Sequence, residues 1–164
     1  MPVVTKATID DIDLIRQLSY AIWPNTYGNI ISQAQIDYML DKMYNPTVLQ
    51  KQIQEECCTF IIVYDNEAAV AFASYNEVAT QIWKLNKIYI LPSQQGKGMG
   101  KFIINYIVNE IKPLHATALQ LQVNRQNNAA AFYQKLGFTI IQTADFDLGN
   151  GYFMNDYVME LRLV

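Results

Sequence analysis

Leu85-Asn86-Lys87-Ile88-Tyr89-Ile90-Leu91-Pro92-Ser93-Gln94-Gln95-Gly96-Lys97-Gly98-Met99-Gly100-Lys101 passes from a strand-like segment into a glycine-rich turn. The residues beyond it are apolar at 103, 104, 107, 108 and 111, which is helical spacing. Such a turn gathers backbone N–H groups that no helical carbonyl satisfies. Together with the positive end of the helix dipole, those donors form an anion site, typically for phosphate. The stretch therefore predicts strand, phosphate-binding turn and helix, in that order.

Two familiar phosphate motifs fail here. A P-loop anchored on Gly100-Lys101 would have Gln95 in place of its first glycine and Phe102 in place of its Mg²⁺-binding hydroxyl. The dinucleotide fingerprint Gly-x-Gly-x-x-Gly breaks at Lys101, and the turn lies mid-chain without an opening βαβ unit. The pattern that fits is Gln-x-x-Gly-x-Gly, carried by Gln95, Gly98 and Gly100.

Upstream, Val3–Lys6 reads as a strand, and Thr8 with Asp10 and Asp11 caps a helix whose stripe is Ile12, Ile15, Leu18 and Ile22. Pro24 is expected to end that helix. Ser32 and Gln35 open a second helix, and Asn45-Pro46 a third that runs to about Glu55. Strands are predicted over Thr59–Tyr64, Ala68–Glu77 and Ile82–Ile90. Downstream come a strand at 117–123, a helix from near Asn127, a strand at Phe138–Gln142 and a last strand at Tyr157–Leu163. The turn Leu148-Gly149-Asn150-Gly151 precedes that last strand.

The 164 residues, with 51% hydrophobic and 16% charged content, predict one ordered domain over 1–164. A net charge of −3 argues against a nucleic-acid partner. No apolar run is long enough to span a bilayer, and the N-terminus lacks a signal-peptide pattern, so a cytoplasmic protein is expected. The adjacent Cys57 and Cys58 suit free thiols in a strand and not a disulfide. With His115 as the lone histidine, in a connecting loop, no metal site is expected.

A second motif sits after the glycine turn: Val123-Asn124-x-x-Asn127-x-x-Ala130-x-Phe132-Tyr133-x-Lys135-x-Gly137-Phe138. Taken together, the two motifs resemble the paired signatures of the GNAT N-acetyltransferase superfamily, in the same order and with the same intervening elements. The segments Trp23-Pro24-Asn25-Thr26-Tyr27 and Asp147–Asp156 look like the PaiA-type polyamine N-acetyltransferases within it. The resemblance implies an α/β (α+β) fold: a mixed, mostly antiparallel central sheet with a splayed parallel strand pair, flanked by helices.

It also implies acetyl-coenzyme A as cosubstrate, a small primary amine such as a polyamine as acceptor in preference to a protein N-terminus, and no metal. A homodimer is compatible with the family. Backbone groups of Gln95, Gly96, Lys97, Gly98, Met99, Gly100 and Lys101 would hold the pyrophosphate, with the two lysines adding charge. Ile88, Tyr89 and Ile90 would pair with the pantetheine arm, and the Ile90 N–H would stabilise the oxyanion. Tyr133 would be the general acid, since a phenol near pKa 10 can protonate a thiolate whose acid is near 8.5. Asn124 and Asn127 would orient the arm or cap the following helix. Family members often carry a base on the strand before the loop. Here that strand offers no carboxylate, which leaves Glu77 or a water chain. Trp23, Tyr27, Tyr38 and Tyr152, with Asp37, Asp41 and Asp156, would suit a cationic amine, or else be core aromatics and surface acids. The missing base keeps a non-catalytic acyl-coenzyme A-binding or regulatory module as the alternative.

Overall fold

A computed structural model describes all 164 residues. Seven strands, β1 (Val3–Lys6), β2 (Thr59–Asp65), β3 (Ala68–Ala79), β4 (Ile82–Ile90), β5 (Ala118–Asn124), β6 (Thr139–Gly149) and β7 (Tyr152–Arg162), alternate with five helices. The helices are α1 (Ile12–Tyr27), α2 (Gln33–Tyr44), α3 (Pro46–Gln54), α4 (Met99–Ile111) and α5 (Ala129–Lys135). The strands form one sheet in the order β1-β2-β3-β4-β5-β7-β6. Pairing is antiparallel for β1–β2, β2–β3, β5–β7 and β6–β7, and parallel for β4–β5. This is the mixed, mostly antiparallel sheet that the family resemblance implies. The parallel register runs from Ile82↔Ala118 to Leu85↔Leu121, while β4 continues to Ile90 and β5 to Asn124.

The chain clusters into two compact units, Met1–Asn76 with Lys87–Ile103, and Glu77–Asn86 with Ile104–Val164. In the first, the stripe Ile15, Leu18 and Ile22 of α1 is buried, as are Ile36, Met39 and Leu40 of α2 and Leu49 of α3. Four successive β2 residues, Phe60–Val63, are also buried, so both faces of that strand are covered. In the second, Ile104, Ile107 and Ile111 of α4 are buried along with Leu119, Leu121, Val123, Phe138 and Met159. No helix is long and apolar enough to cross a membrane.

Caps fall where the sequence predicts them. Thr8 and Asp11 form a reciprocal capping box, Ser32 Oγ accepts from Gln35 N–H, and Asn45 Oδ1 accepts from Val48 N–H. Three expectations need correction. First, α1 runs through Pro24 to Tyr27. Pro24 removes the bond to the Tyr20 carbonyl, but Tyr20 lies on the exposed face, where water can replace it. Second, Cys57 and Cys58 precede β2 and lie outside any strand, Cys57 at φ +54°. Third, β6 and β7 extend to the 149–151 turn. The edge strand β6 is mostly exposed, so it carries little of the apolar alternation that marks a strand.

Candidate functional site

In the first unit, a single 3-10 turn at Pro92–Gln94 leads the chain out of β4 and toward α4. Gly96 and Gly98 follow at φ +77° and +79°, and a Cβ at either would meet nothing within 4 Å. These glycines therefore serve backbone conformation and open approach, not tight packing. The first helical bond runs from Phe102 N–H to the Gly98 carbonyl at 3.0 Å. The amides of Gly98, Met99, Gly100 and Lys101 lie ahead of it, at the positive end of a 13-residue helix. Lys97 and Lys101 are exposed beside them, while the Met99 side chain is buried. An open run of backbone donors beside two exposed lysines suits an anionic group such as a phosphate.

Gln95 contributes differently from its sequence reading. Its N–H donates to the Pro92 carbonyl at 3.3 Å, and its side-chain Nε2 reaches back to the Ile90 carbonyl at 3.3 Å. The Leu91 N–H donates to Val70 on β3 at 2.9 Å. Successive strand residues direct their N–H groups to opposite edges, so Ile90 and Ile88 present theirs away from β3. Tyr89 points into an aromatic cluster. Its ring centroid lies 5.5 Å from that of Trp23 and 5.7 Å from that of Phe72, and its hydroxyl meets that of Tyr27 at 3.0 Å.

That cluster corrects the acceptor expectation. Trp23 is 1% exposed and stacks 4.7 Å from Tyr27, which is also buried. Packed this way, Trp23 supports the fold and offers no face to an acceptor. Tyr38 lies under the Lys42 ammonium at 5.6 Å, and Asp37 accepts from Gln33 at 2.9 Å, both within α2. Sequence reading missed Lys87. It is 6% exposed, its ammonium 5.5 Å from the ring centroids of both Tyr44 and Phe60, and it donates to Gln52 Oε1 at 3.2 Å. Its alternation with Leu85, another buried residue of β4, was the available signal.

In the second unit, the second motif organises the turn from β5 into α5. Asn124 Oδ1 accepts from Gln126 N–H at 2.8 Å, and Asn127 Oδ1 accepts from Ala129 N–H at 2.9 Å. The Asn124 amide nitrogen reaches Met154 Sδ at 3.0 Å. Tyr133 is 7% exposed, with Phe132 and Phe138 rings at 5.3 and 5.6 Å. Gly137 closes α5 at φ +103°, where a Cβ would also press Leu161 at 3.2 Å.

Glu77, the candidate base, is exposed, and its Oε1 accepts from Gln81 N–H at 2.7 Å across the β3–β4 turn. It lies near the end of β3 and braces the turn that follows. Asp156 is the acid that stands apart. It is 5% exposed, and its Oδ1 is buried without a hydrogen-bond partner. Burial pushes its carboxyl up to about 6, opposed by Arg125 and Lys84. Burial in turn lowers Lys84, with Asp156 opposing.

A family model described as acetyltransferase (GNAT) domain matches residues 29–161. The chain is 23% identical over 149 residues to spermidine N(1)-acetyltransferase of Thermoplasma acidophilum, covering 88% of this chain and 92% of that protein. It is 32% identical over 74 residues to the ribosomal protein bS18-alanine N-acetyltransferase of Haemophilus influenzae, covering 45% of this chain and 50% of that protein. Among solved structures, the PaiA N-acetyltransferase of T. acidophilum in complex with coenzyme A matches with a TM-score of 0.83 and 22% identity over 99% of each chain. At that identity the likeness is one of fold.

Proposed function

The chain belongs to the GNAT acetyltransferase family, and we propose that it transfers the acetyl group of acetyl-coenzyme A to a primary amine on a small molecule, such as a polyamine, in preference to a protein N-terminus. The observation that carries the cofactor half is the run of four amides ahead of the first α4 hydrogen bond, beside two positive-φ glycines with open space at their would-be Cβ positions. The small-amine half draws on the spermidine acetyltransferase likeness, which spans far more of the chain than the ribosomal one.

Acetyl-coenzyme A supplies an activated thioester and a thiol leaving group. The backbone from Gly96 to Lys101 binds its pyrophosphate, with Lys97 and Lys101 adding positive charge. The Ile88 and Ile90 amides on the free edge of β4 pair with the pantetheine arm, and the Ile90 N–H polarises the thioester carbonyl. The side chain of Gln95 steadies that end of the strand through the Ile90 carbonyl. Tyr133 gives its phenolic proton to the departing sulfur. Asn124 and Asn127 hold the turn that starts its helix.

Release of free thiol from acetyl-coenzyme A across a panel of amines tests the reading: spermidine, spermine, monoamines and a peptide with a free N-terminus. Thiol release strongest with the small amines supports it. Tight acetyl-coenzyme A binding with no release on any amine would favour a non-catalytic module.

A further inference from the structure

Asp156 lies on β7, directly opposite Asn124 of β5 and Ala144 of β6. Register partners share a sheet face, so its side chain stands on the same face as that of Asn124, the first asparagine of the second motif. Asn124 does not serve it: its amide reaches Gln126 and Met154, and Asp156 Oδ1 has no hydrogen-bond partner. Arg125 is the nearest strong cation in sequence, yet its guanidinium is also held elsewhere. One nitrogen grips Asp145 on β6 at 2.7 Å, and the other donates to the backbone carbonyls of Ala144 and Asp156 at 3.3 Å. Arg125 thus hydrogen-bonds the main chain of Asp156 and acts on its carboxylate through its field alone. Lys84 on β4 acts on the group through its field.

A structural carboxylate at this depth would normally be tied down by donors, since an unsatisfied buried acceptor costs about 1–3 kcal/mol and a charged one more. Asp156 Oδ1 has none. A group held that way retains its capacity to accept a proton.

We propose that the Asp156 carboxylate is the base of the acetyl transfer, taking the proton that the acceptor amine sheds as its nitrogen bonds to the acetyl carbonyl carbon. The inference rests on the acetyltransferase reading above. As the N–C bond forms, the C–S bond breaks. The amine proton goes to Asp156 Oδ1, and the electron pair left on sulfur takes the Tyr133 proton. The products are amide and thiol, and both side chains then exchange protons with solvent. The titration range of Asp156, about 6, suits a base working near neutral pH.

The experiment compares Asp156→Asn with wild type in the thiol-release assay with the best amine of the panel, from pH 5 to 9, alongside calorimetry with acetyl-coenzyme A. The expected result is a fall in kcat of about 100-fold or more, unchanged affinity for acetyl-coenzyme A, and loss of the acidic limb of the kcat/KM profile. Lys84→Met gives a second, milder readout. Removing the smaller of the two cations that draw Asp156 down, with Arg125 left in place, should move the wild-type acidic limb to higher pH with the fold intact. Wild-type turnover in Asp156→Asn, or an acidic limb that stays put in Lys84→Met, overturns the proposal. If wild type itself releases no thiol with any amine, the acetyltransferase reading has failed, and this proposal fails with it.

Discussion

The hydroxyls of Tyr27 and Tyr89 meet at 3.0 Å although 62 positions separate them in sequence. The contact ties the last turn of α1 to the strand residue flanked by Ile88 and Ile90, the backbone proposed to receive the pantetheine arm. Replacing either tyrosine by phenylalanine removes the hydrogen bond between the two hydroxyls. Each single variant should lose about 1–2 kcal/mol, and the double variant less than their sum. In thermal melts that is a drop of about 2–8 °C for each single change. Strict additivity would show that the two hydroxyls do not act as a pair.

Gly98 separates backbone shape from space. Its φ of +79° disfavours any side chain, while the open surroundings of its would-be Cβ mean that nothing clashes. Gly98→Ala and Gly98→Val should therefore fold, with a local strain of about 1–2 kcal/mol. Both should weaken acetyl-coenzyme A binding, valine by at least about tenfold, because the added atoms would stand on the proposed phosphate approach. Calorimetry on folded protein checks this, and unchanged affinity would remove the loop from the binding site.

Tyr133→Phe keeps the packing against Phe132 and Phe138 and deletes one oxygen. If that hydroxyl protonates the leaving thiolate, kcat should fall by about 10²–10⁴ while acetyl-coenzyme A affinity changes little. Wild-type turnover in this variant would refute the role.

The architecture was legible because its signals are local. The glycine turn, the α4 stripe and the caps at Thr8, Ser32 and Asn45 each report on residues within a turn or two of themselves. The acceptor chemistry was hidden because it depends on burial. Trp23 and Tyr27 read as amine-binding aromatics, yet their place among Tyr44, Phe72 and Tyr89 is set by strands far away in sequence. Asp156 read as one acid among three. Only the β5–β7–β6 register puts it beside Asn124, and it is buried there. Glu77 is the contrast: it is exposed near the end of β3, with its carboxylate accepting from Gln81 N–H.

Glu77→Gln supplies the contrast. Its amide oxygen can still accept from Gln81 N–H, so the β3–β4 turn should hold and both turnover and its pH profile should match wild type. Glu77→Ala loses that bond and should cost about 1 kcal/mol or somewhat more, again without changing kcat. A selective loss of activity at low pH in Glu77→Gln would return the residue to the chemistry.

Asp156 also makes a prediction about stability. Its folded carboxyl titrates at about 6, above an ordinary value of 3.8. Between those limits the folded protein holds a proton that the unfolded chain has released. The contribution of Asp156 is therefore fully favourable below about pH 4 and is lost as pH rises through 6. At pH 7 the ionised, unpartnered group is a liability of roughly 1–2 kcal/mol once solvent screening is allowed for. Asp156→Asn should then melt a few degrees higher than wild type at pH 7, and the gain should shrink on acidification until it vanishes near pH 4. A variant that is more stable and far less active is what a buried base predicts, since the feature that destabilises the fold is the one the reaction uses. A melting difference that stays constant from pH 4 to 7 would mean that Asp156 does not titrate in this range.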